Sequence, residues 1–295
     1  MNDYLLSTLL GIIEGLTEFL PVSSTAHLRI AESLLGVDLG NGYWKMFSIV
    51  IQLGAILCLP IYFRRRIAEF FSTFPNGPDG RHSVLDHPVT LTGVAFVVTA
   101  GPAWLMTKII GKHLESIFIM AASLIVGGIA MWVVDAIYAR RREVFTAIGH
   151  RTEAMEEMSL PQAIWIGACQ ILSAVFPGTS RSMSTIAAGQ IAGMSRSAAL
   201  EFSFFVSIPT MVAATCYDLF KSLRHNAGGT AIGVAPSNAH EWGLLIVGFV
   251  VSFVVAYVVV AWFMRWVRQR GFVPFAVYRI LVGAAVLAWA MKTIG

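Results

Sequence analysis

"EGLTEFLPVSSTAHL", residues 14–28, breaks an otherwise apolar N-terminal segment with two carboxylates, the hydroxyl run Ser23-Ser24-Thr25 and a histidine. An ionised Glu at bilayer depth costs at least about 2.5–3.5 kcal/mol, so such a group persists only beside a partner or water. Pro21 lacks the N–H that a continuing helix needs, and the serines beside it favour a turn. A second apolar segment, about 160–195, is broken in the same manner by "PGTSRS" at 177–182. Each half of the 4–36 and 160–195 segments is too short to cross a hydrocarbon core, which needs about 20 apolar residues in a helix. Both segments therefore read as re-entrant helix–loop–helix hairpins, since irregular backbone at membrane depth is tolerated where protein or a wet cavity surrounds it.

The rest of the chain fits that reading. It has 295 residues, 56% hydrophobic and 13% charged, whereas a soluble domain carries about 25% charged residues. Six stretches are long enough to span a bilayer: Trp44–Phe63, Val89–Ile109, Ile117–Ala139, Ala198–Phe220, Trp242–Met264 and Phe272–Met291. The expected fold is an all-α integral membrane protein, a single membrane domain over 1–295, with six transmembrane helices and the two re-entrant hairpins. Met1-Asn2-Asp3 supplies no basic region ahead of the first apolar run, so a cleaved signal peptide is not expected. Cys58, Cys169 and Cys216 lie singly in apolar runs and read as small hydrophobes. The net charge of +4 comes from basic residues beside apolar segments, the pattern of membrane topology signals, so nucleic acid is not an expected partner.

An offset of 156 lays Gly11 on Gly167, Glu14 on Gln170, Pro21 on Pro177, Ser23 on Thr179 and Ser24 on Ser180. The same or a nearly equal offset carries Phe47-Ser48 onto Phe202-Ser203 and "LIVGG" at 124 onto "ILVGA" at 280. The chain thus reads as a tandem duplication, with repeats of about 1–142 and 159–295. A hairpin that does not cross plus three spans gives an odd number of crossings, which makes the repeats inverted in topology. Arg64-Arg65-Arg66, Arg81, Arg140-Arg141-Arg142, Arg151, Arg196, Arg265, Arg268 and Arg270 fall on one side; the other carries Lys45, Lys108, Lys112, Lys221, Arg224 and Lys292. The arginine-rich side is expected to be cytoplasmic. The first hairpin then opens outward and the second enters from the cytoplasm. Residues 143–158 read as a connector with an interfacial helix, and the glycine-rich 221–241 loop as external.

Glu14 and Glu18 are one helical turn apart before the break, and Ser24 and His27 are three apart after it. Arg181 and Thr185 repeat the one-turn spacing after "PGTS", whose N–H groups at a helix start suit an anion. If the two loops meet, carboxylates, a hydroxyl nucleophile, an imidazole and a guanidinium share one pocket, an inventory for phosphoryl transfer from a lipid-borne substrate. Arg181 can hold phosphate oxygens in bidentate fashion. Ser24 can attack phosphorus once His27 or a glutamate takes its proton, and His27 as nucleophile remains an alternative. The two carboxylates facing a diphosphate make a site for Mg²⁺ or Ca²⁺. Ser23, Thr25, Ser182 and Thr185 each have a plainer use, since hydroxyls in membrane helices commonly bond the backbone. Arg279 and Glu201 read as structural partners or cavity lining, and "HSVLDH" at 82–87 as an interfacial loop.

At these residues the sequence resembles the undecaprenyl-diphosphate phosphatases, also called bacitracin-resistance proteins, over nearly its whole length. "EGLTEFLPVSSTAHL" and "PGTSRSMST" at 177–185 are similar to that family's two signatures, and "EFSFFVSIP" at 201 and "PFAVYRILVGA" at 274 fit as well. The resemblance implies removal of the terminal phosphate of undecaprenyl diphosphate, which recycles the lipid carrier of peptidoglycan and other envelope polymers. It implies a divalent cation, a multi-pass place in the bacterial inner membrane with the site toward the outer face, and bacitracin competing for the substrate rather than binding the protein. Membrane lipids and a second copy of the chain are the other expected partners. Carried over by position, the acidic pair is Glu14 and Glu18, the serine Ser24, the histidine His27 and the arginine Arg181. Gly178, Ser180, Ser182 and Thr185, with Ser23 and Thr25, would line the phosphate. Ala26 and Met183 stand where a Gly is common in the family, which bears on pocket shape. The rival expectation is an inverted-repeat transporter or lipid flippase, because broken helices in repeats are also the plan of secondary transporters.

Overall fold

The computed structural model describes residues 2–37, 42–77, 83–106, 116–148, 151–224 and 233–294, apart from the side chains of 138–148, 221–224 and 293–294. Arg81, Lys108, Lys112 and the 225–232 part of the glycine-rich loop lie outside the described residues. The side chains of Arg140, Arg141, Arg142, Lys221 and Arg224 do so too.

The described residues form α-helices and one 3-10 turn, with no strand among them. In chain order they are α1 Asp3–Thr17, α2 Ser24–Leu34, α3 Gly42–Ile56, α4 Cys58–Tyr62, α5 Arg64–Ser72 and α6 Pro88–Leu105. There follow α7 Ile117–Ile148, the 3-10 turn Met155–Glu157, α8 Leu160–Val175, α9 Arg181–Ile191, α10 Arg196–Arg224, α11 Ala239–Gln269 and α12 Val273–Ile294. Helix starts follow local chemistry. The Asn2 side chain accepts from Tyr4 N–H ahead of α1, His87 caps α6 with Pro88 as its first residue, and Ser159 and Gln162 form a capping box for α8.

Among the described residues, six helical segments are long and apolar enough to cross a membrane: Gly42–Tyr62, Pro88–Leu105, Ile117–Ile137, Arg196–Phe220, Ala239–Gln269 and Val273–Lys292. They fall on the six stretches expected from the sequence, and the chain is a multi-pass membrane protein. The first span is interrupted at Leu57 between α3 and α4. Pro60 has no N–H for the Ile56 carbonyl, so the ladder fails there. Residues 143–148 continue α7 rather than forming a separate interfacial helix, because nothing in "ARRREVFTAI" breaks the ladder. The first and last helices of the broken segments stay short. At 1.5 Å per residue, the 15 residues of α1 and 16 of α8 reach about 22–24 Å, against a hydrocarbon core of about 30 Å.

The chain divides into two compact units. The first comprises Met1–Phe19, Ser24–Tyr62 and Ser207–Trp262. Its core packs Leu6 and Leu10 of α1, Phe47 and Ile51 of α3, and Leu244 and Leu245 of α11. Gly11 and Gly15 let α1 lie directly on α11: a Cβ at Gly15 would stand 2.7 Å from Ser252 O, and one at Gly11 would meet Val251 at 3.3 Å.

The second unit comprises Leu20–Ser23, Phe63–Val206 and Phe263–Gly295. Here α8 lies on α6 through Gly167, where a Cβ would stand 2.6 Å from Ala95 O. Gly11 lies beside Val251 as Gly167 lies beside Ala95, and Gly11 and Gly167, like Ala95 and Val251, are 156 residues apart. Helix α7 packs along α12. Asp135 of α7, 2% exposed, accepts from Gln190 Nε2, Arg196 Nε and Phe272 N–H, tying four helical segments together.

Candidate active site

The first break begins without a sharp helix stop. Glu18 keeps helical backbone angles and donates its N–H to Glu14 O at 2.9 Å. That continuity stacks the two carboxylates on one face, at 0% exposure for Glu14 and 6% for Glu18. The backbone then turns through Phe19–Val22, and Ser23 takes φ 76 before α2 starts at Ser24. Positive φ is costly for a residue with a Cβ and is held only where the surroundings impose it. The turn brings Ser24 back onto the end of α1, where its Oγ donates to Glu18 Oε2 at 2.6 Å. His27 follows one turn later on α2 and is half-buried, while Thr25 is exposed. Glu32 anchors α2 by accepting from Arg29 Nη1 at 3.0 Å and from Ser48 Oγ of α3 at 2.7 Å.

The second break has a related backbone that is one residue longer. Gly178 sits at φ +91, and a Cβ there would stand 2.7 Å from Met120 O, so glycine is required twice over. Ser180 takes φ 66, and its Oγ accepts from Met183 N–H as the cap of α9. The residues of matching conformation are therefore Ser23 and Ser180, and the first helical residues are Ser24 and Arg181. The sequence offset of 156 had paired Ser24 with Ser180; the extra residue after Pro177 shifts the pairing by one. Arg181 donates from Nη1 to Ser203 O at 3.4 Å. Thr185 Oγ1 bonds Arg181 O at 3.0 Å and Ser203 Oγ at 2.6 Å, fixing the first turn of α9 against α10. Ser182 is buried, and its Oγ lies 3.1 Å from Ser180 Oγ.

The two breaks touch at their tips within the second unit. Ser182 Oγ donates to Leu20 O at 3.0 Å. Arg279 of α12 donates from Nη1 to Pro21 O at 3.1 Å, and from Nη2 to Gly178 O at 2.9 Å and Thr179 O at 3.1 Å. The sequence reads Arg279 as a structural partner or cavity lining, and the signal that marks it is a guanidinium within the apolar run "PFAVYRILVGA".

The donor chemistry of α1 suits a hard divalent cation. Two buried carboxylates one turn apart offer only oxygen ligands, the preference of Mg²⁺ and Ca²⁺. Among the described residues no cluster of three His, Cys, Asp or Glu side chains forms a complete metal cage. Such a pair fits a cation that completes its shell with water and substrate phosphate.

The sequence profile described as Bacitracin resistance protein BacA matches residues 7–285. The chain belongs to this family. Its relatives include an undecaprenyl-diphosphatase of Koribacter versatilis, 69% identical over 293 residues, 99% of this chain and 100% of that protein. An undecaprenyl-diphosphatase of Caldanaerobacter subterraneus subsp. tengcongensis is 39% identical, covering 95% of this chain and 93% of that protein. One from a Bradyrhizobium species is also 39% identical, covering 96% of each. The match runs through both breaks and reaches all twelve described helices.

Proposed function

We propose that this chain hydrolyses undecaprenyl diphosphate to undecaprenyl phosphate and inorganic phosphate in the bacterial plasma membrane, returning the lipid carrier for envelope polymer synthesis. The observation that carries the reading is the 2.6 Å hydrogen bond from Ser24 Oγ to Glu18 Oε2. A hydroxyl held on a buried carboxylate is the pairing a serine needs to become a nucleophile. The names of close relatives and the six apolar helices support a lipid-borne diphosphate as substrate.

In the proposed reaction Ser24 Oγ attacks the terminal phosphorus as its proton passes to Glu18. The bond from that phosphorus to the bridging oxygen breaks, and undecaprenyl phosphate leaves with the electron pair. Water then attacks the phosphoserine, with His27 as acid/base residue, releasing inorganic phosphate and restoring Ser24. Arg181 and the second break, with Gly178, Ser180, Ser182 and Thr185, hold phosphate oxygens beside the tip that carries Ser23. Glu14 and Glu18 would hold Mg²⁺ or Ca²⁺, which when bound neutralises charge on the phosphate oxygens.

Both broken segments are proposed as re-entrant hairpins in inverted repeats. Helices too short to span and the repeated glycine contacts of α1 and α8 support this. With the arginine-rich connectors on the cytoplasmic side, the site faces outward, where bacitracin would compete by sequestering the lipid diphosphate.

The test is phosphate release by purified protein in detergent from C55 and C15 diphosphates, with and without EDTA, beside Ser24→Ala and Arg181→Ala. Metal-dependent release lost in both variants is the expected result. A folded wild-type protein that binds the lipid and releases no phosphate would overturn the reading.

A further inference from the structure

We infer that Arg279 is a positioning residue that locks the tips of the two broken helices into one geometry; the inference rests on the phosphatase reading. Arg279 is completely buried, among the largest side chains in the protein to be so. Its guanidinium donates to four backbone carbonyls: Pro21 O of the first break, Gly178 O and Thr179 O of the second, and Ser123 O of α7. Among the described residues no carboxylate pairs with it. A cation taken out of water ordinarily needs such a partner. Here its hydration is replaced by the carbonyls that the two breaks and α7 supply.

The Pro21, Gly178 and Thr179 carbonyls face the guanidinium because the chain has stopped being helical there, while Ser123 O is reached from within α7. Broken helices leave terminal carbonyls without intrahelical donors, and in an apolar surround each needs a donor from elsewhere. The planar fork of an arginine holds two nitrogens at fixed positions, here Nη1 on Pro21 O and Nη2 on the other three carbonyls, whereas a lysine carries its three donors on one rotatable ammonium. Space has been kept for it: a Cβ on Gly127 of α7 would collide with Nη2 of Arg279 and lie 2.8 Å from Met183 Cε. Arg279 touches neither Ser24 nor Arg181 in the described contacts. It acts through the segments that precede them, since Pro21 lies three residues before Ser24 and Gly178 three before Arg181. Misplacing a reacting group by about 1 Å can cost on the order of 100-fold in rate.

The test compares wild type, Arg279→Lys, Arg279→Gln and Gly127→Ala in detergent. Three readouts are taken: hydrogen–deuterium exchange of the peptides covering residues 18–24 and 176–183, kcat and KM for C15 diphosphate, and thermal unfolding. Both Arg279 variants are expected to exchange faster at the two tips together, by about tenfold or more. Their kcat should fall by about 30-fold or more, with KM moved less than about threefold. Gly127→Ala, which displaces the guanidinium without removing it, should show a smaller change of the same sign at both tips. It also serves if the Arg279 variants do not fold.

Three outcomes would overturn the inference. One is wild-type protection at both tips in a folded variant. A second is a lower unfolding temperature with kcat per folded molecule intact, which marks a merely structural role. The third is full kcat in Arg279→Lys, which would mean that the charge suffices and the fork does not matter. A wild type that turns over no diphosphate lipid would defeat the phosphatase reading alone, because tip exchange still reports whether Arg279 joins the breaks.

Discussion

Ser24 and Glu18 are six residues apart in sequence and 2.6 Å apart in space, from Oγ to Oε2. In an unbroken α-helix, six residues separate two side chains by about 9 Å along the axis and turn them about 120° apart around it. Pro21 and the positive φ of Ser23 fold the second helix back, so the break creates the hydrogen-bonded pair proposed as nucleophile and base.

That relationship predicts how substitutions combine. Glu18→Gln keeps an acceptor for Ser24 but removes the base, and phosphate release should fall by about 10²–10⁴-fold. Ser24→Ala should fall at least as far. The double variant should be no worse than Ser24→Ala alone, because the two groups work as one unit. Initial rates of phosphate release for the three proteins check this; multiplicative losses would separate the roles of the two residues.

The spans and the two breaks were legible in the sequence for a physical reason. Long apolar runs and carboxylates inside them have few alternative explanations at bilayer depth. Glu14 and Glu18 were readable as one face because the helix continues through Glu18. Three features were not legible. Arg279 looked like any arginine in a final span, and what distinguishes it is a set of backbone carbonyls from Pro21, Ser123, Gly178 and Thr179, which sequence patterns do not display. The one-residue difference between the breaks was hidden because Ser occurs at both Ser23 and Ser24, and only the dihedral angle shows which serine matches Ser180. Helix α7 ran past its expected end since charge alone does not terminate a helix.

Glu14 tests whether the proposed metal binding can be separated from proton transfer. It is fully buried one turn from Glu18, and it accepts no hydrogen bond from Ser24 in the described contacts. Glu14→Gln should raise the Mg²⁺ or Ca²⁺ concentration giving half-maximal activity by about tenfold or more, since a neutral amide is a poorer ligand for a hard cation. Activity should return in large part at saturating cation, whereas Glu18→Gln should stay impaired at every concentration. Cation titrations after EDTA stripping distinguish the two; a Glu14→Gln protein that no cation concentration rescues would assign Glu14 to the proton-transfer step instead.

The glycine contact between α1 and α11 gives a stability prediction away from the chemistry. A Cβ at Gly15 would stand 2.7 Å from Ser252 O and 2.8 Å from Val255 Cβ, while one at Gly93 of α6 would meet nothing within 4 Å. Gly15→Ala should therefore force the helices apart and cost about 1–3 kcal/mol. Gly93→Ala should leave the unfolding temperature unchanged or slightly higher, because alanine loses less backbone entropy in a helix. Thermal unfolding in one detergent compares them directly. Equal unfolding temperatures for Gly15→Ala and wild type would mean that α1 does not lie on α11 this closely.

Asp135 tests whether the second unit depends on a buried charge. Its carboxylate, 2% exposed, accepts from Arg196 Nε at 2.9 Å, Gln190 Nε2 at 3.2 Å and Phe272 N–H at 3.1 Å. Removing one partner of a buried pair costs about 3–5 kcal/mol, because the other charge is left without compensation. The Arg196 side chain is 21% exposed, so water recovers part of its solvation, and Asp135→Asn should sit near the low end of that range. The variant should unfold at a lower temperature yet release phosphate at close to the wild-type rate per folded molecule, as Asp135 touches neither break. Pairing Asp135→Asn with Arg196→Gln sharpens the result: the double variant should be more stable than the sum of the single losses implies. Simple additivity would place the value of Asp135 in its bonds to Gln190 and Phe272 rather than in the ion pair.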